Sequence, residues 1–202
     1  MNITTIKQQE RRTNRYSIFV DETYAFSLSA DALLAEKLYV GMEMDVAQLK
    51  AYKKLSADDK AYNLALAYVA RRMRSRGELQ DYFRRKGYDG TLADQLVERL
   101  ERLGLVDDTA FAEAWVRNRR LLKSVSIRRL QQELRQKHVA DTIIDRVLAQ
   151  DETDERVVLC ELIARKQKQS RYQDPVKLMR YLMGQGFGYQ DVRDALNNNE
   201  LD

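Results

Sequence analysis

The sequence predicts a mainly α protein in which three tandem three-helix repeats form an elongated curved array. A small N-terminal extension containing a β-hairpin precedes them. Three observations lead to this prediction. The 202 residues include one proline and only eight glycines. Long stretches consist of Leu, Ala, Glu, Arg and Gln, which are strong helix formers. The same apolar pattern also returns twice along the chain, as repeat architectures require.

The first 55 residues are expected to form the extension. "RYSIFVD" and "YAFSLS" carry β-branched and aromatic residues, and Tyr24, Phe26 and Leu28 alternate with small or polar residues. The segment between them predicts a hairpin turn centred on Asp21–Thr23. Short helices are expected near 29–38 and 45–54.

Local signals then predict the ends of the following helices. "SADDK" (56–60) is expected to cap a helix. Ser75 and Glu78 have the spacing of a capping box, which starts the next helix, and Gly87 suits the position just after its end. A third helix is predicted between Thr91 and Gly104.

The repeat is visible in the leucines of the second helix of each unit. Leu79 is followed by Leu130 and then by Leu178 at the equivalent positions. Phe83, Leu134 and Leu182 match in the same way. Each pair is spaced i and i+4, so it forms one apolar stripe on a short helix. The three repeats are predicted to span residues 58–104, 107–149 and 152–198.

Large apolar side chains at core-pattern positions are expected to pack inside the repeats rather than bind a ligand. This applies to Trp115, Phe83, Phe111 and Phe187. The single cysteine, Cys160, lies in the apolar helical pattern "RVVLCELIA" and is predicted to be a buried structural thiol.

Positive charge follows the repeat, although the net charge is only +4. Three basic blocks cover residues 71–86, 117–137 and 165–180. The first holds seven basic and two acidic residues, the second eight basic residues against Glu133, and the third six against Asp174. Acidic residues predominate between the blocks. Solvated faces or helix-dipole effects would explain one block, but three blocks in register favour a shared anionic partner.

No pattern in the sequence indicates catalysis, a cofactor or a metal. His138 takes the position equivalent to Gly87, which favours a role at a helix end. No Cys/His cluster suits zinc, and no Walker loop is present. The acid pair Asp107-Asp108 is typical of a helix cap. No apolar run of membrane-spanning length or signal-peptide type occurs, so a cytoplasmic protein is expected.

Four segments resemble the RecX family of bacterial regulators of the RecA recombinase. They are "SRGELQDYFRRKGYD", "GLVDDTAFAEAWVRNR", "SIRRLQQELRQKHV" and "MRYLMGQGF", in the order in which the family has them. The similarity covers residues 58–198, and residues 1–50 fit a less uniform N-terminal extension. Gln185 departs from the pattern because it stands where the first two repeats have Lys86 and Lys137.

The resemblance implies a non-enzymatic, monomeric protein that binds the RecA filament on single-stranded DNA and mostly inhibits it. Inhibition would extend to strand exchange, ATP hydrolysis and the coprotease activity of the SOS response, and thus to DNA repair and recombination. Direct binding to single-stranded DNA is expected to be weak and sequence-independent. The predicted contacts are the cations of the first two blocks: Arg71, Arg72, Arg74, Arg76, Arg84, Arg85, Lys86, Arg117, Arg119, Arg120, Lys123, Arg128, Arg129, Arg135 and Lys137.

Two other functions stay open at the level of sequence. One is a helix-turn-helix regulator that reads a DNA sequence, although basic residues that straddle two helices and a loop favour backbone contacts. The other is a helical-repeat scaffold that binds only proteins. If the basic blocks bind the filament, reversing the charge of five arginines of the second block should weaken binding without unfolding the protein. These five are Arg117, Arg119, Arg120, Arg128 and Arg129.

Overall fold

A computed structural model describes residues 1–198 as two units. The first contains residues 1–72 and 83–100; the second contains residues 73–82 and the described chain from residue 101 onward. The strands are β1 (Ile3–Gln9), β2 (Arg12–Val20) and β3 (Thr23–Ser29). The helices are α1 (Ala30–Ala35), α2 (Val46–Val69), α3 (Arg76–Arg85), α4 (Gly90–Arg102), α5 (Asp108–Leu122), α6 (Ile127–Gln136), α7 (Asp141–Ala149), α8 (Glu155–Gln167), α9 (Pro175–Gly184) and α10 (Tyr189–Asn198), with a 3₁₀ turn at Ser170–Tyr172. The mainly helical fold class is confirmed.

The N-terminal sheet is antiparallel with the strand order β1-β2-β3. The predicted turn between β2 and β3 is confirmed, because Asp21 and Glu22 both have left-handed backbone angles, with φ of 46° and 66°. Such angles are required by the tight hairpin turn that matches the strand twist. One face of the sheet buries a core with Ile3, Ile18 and Leu28 at its centre.

The prediction that "SADDK" caps a new helix is wrong. Val46–Val69 is a single helix that passes through this segment and across the predicted boundary after residue 55. The polar residues are satisfied by the edge of the sheet instead. Ser56 Oγ donates to the carbonyl of Ser27 at 2.6 Å, and Asp59 Oδ2 accepts from the N–H of Ser29 at 2.9 Å. The helix therefore covers an edge strand that would otherwise leave its backbone groups unpaired.

The predicted leucine stripes are buried. Leu130 and Leu134 are both fully inaccessible, and the third-repeat equivalents Leu178 and Leu182 are 2% and 0% exposed. In the second unit, one core gathers α5, α6 and α7, and another gathers α8, α9 and α10. These cores support the interpretation of the apolar pattern as three-helix packing, while the exact repeat boundaries stay predictions.

The second helix of each repeat ends in a left-handed residue, as the alignment of Gly87 with His138 predicts. Gly87, His138 and Gly186 have φ of +75°, +57° and +96°. The amide of the following residue then bonds back to the helix; for example, Val139 N–H donates to the carbonyl of Leu134 at 3.2 Å. The assignment of His138 to a helix terminus is confirmed.

A pair of serines links successive repeats within the second unit. Ser75 and Ser126 are both fully buried. Ser75 Oγ donates to the carbonyl of Lys137 at 2.5 Å, and Ser126 Oγ donates to that of Gln185 at 3.2 Å. Each serine thus joins the start of one second helix to the end of the next repeat's second helix. The same hydroxyls accept an N–H of their own helix as N-caps.

A carboxylate strengthens each of these two junctions. The N–H of Arg76, the first residue of α3, donates to Asp108 Oδ1 at 2.7 Å. The N–H of Ile127, the first residue of α6, donates to Glu155 Oε1 at 3.1 Å. Asp108 and Glu155 are themselves the first residues of α5 and α8. The two junctions are therefore built to one plan, with a serine hydroxyl and a helix N–H as donors.

Gly77 lies where the first junction is tightest. A Cβ atom at Gly77 would stand 2.2 Å from His138 Cβ, which no real contact allows. Replacing Gly77 with alanine is expected to lower the free energy of unfolding by about 1–3 kcal/mol, because α3 and the end of α6 must separate. Urea unfolding would measure this. Gly90→Ala is the matched control, since nothing lies within 4 Å of a Cβ there; equal losses in both variants would contradict the close approach.

The prediction of a buried thiol is wrong, because Cys160 is exposed. The stripe of α8 that enters the core is formed by Leu159, Leu162 and Ile163. Cys160 follows Leu159 by about 100° around the helix, which turns its side chain away from that stripe. The apolar neighbours in sequence therefore do not share one environment.

Among residues 1–198, no helix is long and apolar enough to cross a membrane.

Candidate nucleic-acid interface

The candidate cations of the first basic block lie at both ends of α3. Arg71 and Arg72 are exposed after α2, and Arg84, Arg85 and Lys86 are exposed at the C-terminal end of α3. Arg74 and Arg76 are half-buried. The guanidinium of Arg76 lies 2.5 Å from Glu101 Oε2, and both side chains are about one-third exposed. Arg76 is thus already engaged by a carboxylate of its own unit.

In the second block, the carboxylate of Glu133 binds two of the arginines that were predicted as contact residues. Its carboxylate accepts from Arg119 Nε at 2.6 Å and from Arg129 Nε at 3.4 Å. The indole N–H of Trp115 donates to the same carboxylate at 3.0 Å. The Glu133 side chain is only 12% exposed, so this is a partly buried cluster in which much of the positive charge is compensated.

The ring of Trp115 lies against cations rather than wholly inside the core. The Arg119 guanidinium carbon is 4.5 Å from the ring centroid and Lys137 Nζ is 5.3 Å from it. Phe111 stacks on the inner side at 5.8 Å between centroids. Phe111, Phe83 and Phe187 are buried as predicted, whereas Trp115 is half-buried because its N–H needs a polar partner.

Arg120 is a structural residue. Its guanidinium donates to Asp151 Oδ2 at 2.8 and 2.6 Å and to the carbonyl of Val125 at 2.8 Å. The side chains of Arg120 and Asp151 are 12% and 9% exposed. Burial acts to raise the pKa of Asp151, but hydrogen bonds from Thr153 and Arg120 outweigh it and hold the pKa below its ordinary value. The pair fastens the end of α5 to the segment after α7.

Lys137 and Arg135 are also paired. Lys137 Nζ lies 2.8 Å from Glu78 Oε1, which adds an ion pair to the first junction. Arg135 Nε lies 2.7 Å from Asp141 Oδ1 in a largely exposed pair at the start of α7. Surface pairs of the second kind contribute little stability, so Arg135 is more easily released to an external anion than Lys137.

Three candidate cations of the second block point into solvent. Arg117, Lys123 and Arg128 are exposed, and within residues 1–198 none of them forms an ion pair. Five of the eight cations in this block are therefore held by carboxylates, namely Arg119, Arg120, Arg129, Arg135 and Lys137.

The third block, which contributes none of the predicted contact residues, is the least compensated. Its cations are Arg165, Lys166, Lys168, Arg171, Lys177 and Arg180. In the described chain only Lys177 has an ion pair, with Asp174 at 3.6 Å, and both side chains are well exposed. The excess of basic residues in the sequence was the available signal for this surface.

Burial dominates the protonation of the Asp108 carboxylate. Desolvation raises the pKa of Asp108, the N–H of Arg76 acts to lower it, and Glu101 raises it again. In the folded protein Asp108 therefore keeps its proton to a higher pH than in the unfolded chain. The stability that it contributes is complete below the ordinary pKa of 3.8 and is lost as the pH rises through the folded value.

The pH dependence of the free energy of unfolding should show that ionisation of the Asp108 carboxylate destabilises the folded protein. In Asp108→Asn, the amide oxygen can still accept from the N–H of Arg76 but carries no charge. We expect the urea midpoint of the variant to improve relative to that of the unmodified protein as the pH rises from about 3 to about 6. Parallel pH profiles for the two proteins would contradict it, and Asp107→Asn, at an exposed neighbouring cap, is the control.

Within the described residues, no group of three or more His, Cys, Asp or Glu side chains is arranged to hold a metal ion. His138 Nε2 lies 3.1 Å from Asp81 Oδ2 at the first junction. Cations, helix ends and half-buried aromatic rings make up the candidate interface.

Three family models match the chain in sequence order. "Regulatory protein RecX N-terminal domain" matches residues 1–45. "RecX, first three-helix domain" matches residues 61–100, and "RecX, second three-helix domain" matches residues 107–148.

Individual proteins give the same result. The chain is 31% identical to a regulatory protein RecX of Halalkalibacterium halodurans and 32% identical to one of Bacillus pumilus; each match covers 96% of this chain and 76% of the relative. The match to a crystal structure of a regulatory protein RecX covers 96% of this chain and 98% of that chain, with 25% identity and a TM-score of 0.72. A RecX structure from Lactobacillus salivarius, at 22% identity and a TM-score of 0.59 over 72% of this chain, shares the fold.

Proposed function

Since the chain belongs to the RecX family of regulatory proteins, we propose that it binds the RecA filament on single-stranded DNA and mainly inhibits it. The inhibited activities would be recombination, ATP hydrolysis and the coprotease activity that induces the SOS response. The observation that carries the proposal is the ordered match of the N-terminal and three-helix domains along one chain. We further propose that the protein acts as a cytoplasmic monomer without catalytic activity of its own.

Exposed cations support a partner that includes nucleic acid. Arg71, Arg85, Arg117, Lys123 and Arg128 are exposed and take part in no ion pair within residues 1–198. Such residues are free to replace counterions on a phosphate backbone, which gives salt-dependent and sequence-independent affinity. In contrast, Arg119, Arg120, Arg129 and Lys137 are paired with carboxylates of the protein itself, so we propose that they contribute less to binding than the unpaired cations.

The same pairing weighs against sequence-specific reading by α6. A recognition helix presents side chains that are free to form bidentate bonds with base edges. Two arginines of α6 are bound instead to carboxylates of the protein, Arg129 to Glu133 and Arg135 to Asp141. Backbone contact is therefore the better supported mode.

The proposed function predicts a concentration-dependent loss of RecA activity. RecA-dependent ATP hydrolysis on single-stranded DNA should fall when the protein is added at ratios well below one per RecA monomer. The DNA and RecA concentrations are kept fixed, and heat-denatured protein is the control. Unchanged hydrolysis from substoichiometric amounts up to a molar excess would contradict the proposed function.

A further inference from the structure

We infer that the third repeat carries a binding site for single-stranded nucleic acid, centred on two tyrosines and the cations that surround them. This site, the tyrosine–cation cluster, consists of Lys166, Arg171, Tyr172, Lys177 and Tyr181. The inference rests on the proposed function only because a regulator of this filament would encounter single-stranded DNA. All other support comes from residues of the third repeat.

Three segments bring the cluster together. Lys166 lies near the end of α8, Arg171 and Tyr172 lie in the 3₁₀ turn, and Lys177 and Tyr181 lie one helical turn apart on α9. The two rings meet at 5.0 Å between centroids with a 51° tilt. Their inner parts pack on the core of the third repeat, so the rings have a fixed position. Both remain half-buried, which leaves part of each ring accessible.

The rings also position the cations. Lys166 Nζ lies 4.7 Å from the centroid of Tyr181 and 5.2 Å from that of Tyr172. The guanidinium carbon of Arg171 lies 5.7 Å from the Tyr172 centroid. Cation–π contacts of this kind hold the charges without neutralising them. The charge of Lys166 and Arg171 thus stays available to an external anion.

The charge balance distinguishes this surface from the second block. Five cations of the third block have no ion pair within residues 1–198: Arg165, Lys166, Lys168, Arg171 and Arg180. The corresponding set in the second block has three members, Arg117, Lys123 and Arg128. The one acidic side chain of the third block, Asp174, is occupied as the N-cap of α9, where its carboxylate accepts from the N–H groups of Val176 and Lys177.

These features fit single-stranded nucleic acid better than other anions. Phosphates spaced along a strand match several cations on adjacent elements, while an unstacked base can lie against an accessible aromatic ring. The bases of a duplex are stacked on one another and offer no free face. An acidic protein segment could bind the cations without contacting the pair of aromatic rings. The ligand class is therefore a strand with both phosphates and exposed bases, without sequence preference.

The experiment measures binding of the whole protein to a fluorescent oligo-dT by anisotropy, at several salt concentrations and without RecA. Arg171→Glu combined with Lys177→Glu should weaken binding at least about tenfold and reduce the salt slope by about two. The matched control is Arg117→Glu with Arg128→Glu, which reverses the same number of exposed charges in the second block and should weaken binding less. An equal or larger loss in the control pair would overturn the assignment.

The tyrosines provide a second readout. Tyr172→Leu should weaken oligo-dT binding by about tenfold with an unchanged salt slope, while Tyr172→Phe, which keeps the ring, should bind normally. Circular dichroism checks that both variants are folded. If Tyr172→Leu is unfolded, Tyr172→Met, which also lacks a ring, replaces it and should likewise bind about tenfold more weakly. Loss of binding in a folded Tyr172→Phe, or none in any folded ring-free variant, would contradict base contact.

Competition separates the possible anions. Unlabelled duplex of equal length and polyglutamate of equal charge should both compete less well than oligo-dT. Equal competition by polyglutamate would overturn the nucleic-acid assignment in favour of an acidic protein surface. The ATP hydrolysis assay is scored separately: RecA inhibition together with oligo-dT binding that is indifferent to the third block would overturn this inference and leave the proposed function standing.

Discussion

Replacement of Arg120 by methionine is expected to lower the free energy of unfolding by about 3–5 kcal/mol. The change keeps most of the side-chain volume but leaves Asp151 buried without its cation. Asp151 is 9% exposed, and its carboxylate depends on Arg120 and Thr153. The loss should appear in urea unfolding followed by the fluorescence of Trp115, the only tryptophan. Arg117→Met, an exposed neighbour on the same helix, should change stability by less than about 0.5 kcal/mol.

A double variant identifies the cause. Asp151→Leu alone should also destabilise, whereas Arg120→Met combined with Asp151→Leu should recover much of the loss, because no charge is then left buried without a partner. Simple addition of the two losses would show that packing, and not charge pairing, explains the effect. The lowered pKa of Asp151 determines the pH range over which its ion pair with Arg120 stabilises the protein. The pair contributes fully above the ordinary pKa of 3.8, and this contribution is lost as the pH falls through the lower folded value.

This result would also change the design of charge-reversal experiments. Reversing Arg117, Arg119, Arg120, Arg128 and Arg129 together was expected from the sequence to leave the fold intact. Three of these five arginines bind buried or half-buried carboxylates, so the fivefold variant should unfold. Reversal of only Arg117 and Arg128 tests the surface without disturbing the core.

Leu134→Ala is expected to cost about 2–5 kcal/mol. Leu134 is completely inaccessible and lies in the core that α5, α6 and α7 share. Its removal leaves a cavity beside the turn where Lys137 and Val139 bond back to the carbonyl of Leu134. Urea unfolding monitored by circular dichroism gives the magnitude. Leu122→Ala, at a side chain that is 77% exposed, should have no measurable effect.

The third repeat offers an independent comparison. Leu182 occupies the equivalent position and is also fully inaccessible, so Leu182→Ala should show a loss of similar size. A loss below about 1 kcal/mol at either buried leucine would show that the site collapses around the smaller side chain, against the expectation for a tightly packed core.

The features that could be predicted from the sequence are those set by local pattern. The i and i+4 leucines, the left-handed helix ends and the turn at Asp21 depend on neighbours a few residues away, and all are present. The cap expected at "SADDK" failed for the opposite reason. There the edge of β3 supplied partners for Ser56 and Asp59, and this tertiary contact made a helix end unnecessary.

Which arginines form ion pairs could not be predicted from the sequence. Asp151 comes 31 positions after Arg120, and nothing in either local segment indicates that they meet. Neighbouring arginines therefore have different roles. Arg117 faces solvent, whereas Arg119 and Arg120 are bound to carboxylates of the protein. The sequence shows how many charged residues a basic block contains. The tertiary structure determines which of these charges are paired with a carboxylate.

The two serine junctions depend on two hydrogen-bond donors that the third repeat does not offer at the equivalent positions. A junction needs a hydroxyl donor at the N-cap and an N–H at the next residue, as Ser75-Arg76 and Ser126-Ile127 provide. The aligned dipeptide of the third repeat is Asp174-Pro175. An ionised carboxylate only accepts hydrogen bonds, and proline has no N–H. The third repeat therefore lacks both of the donors on which the junctions at Ser75 and Ser126 depend, so its second helix cannot form a junction of this kind.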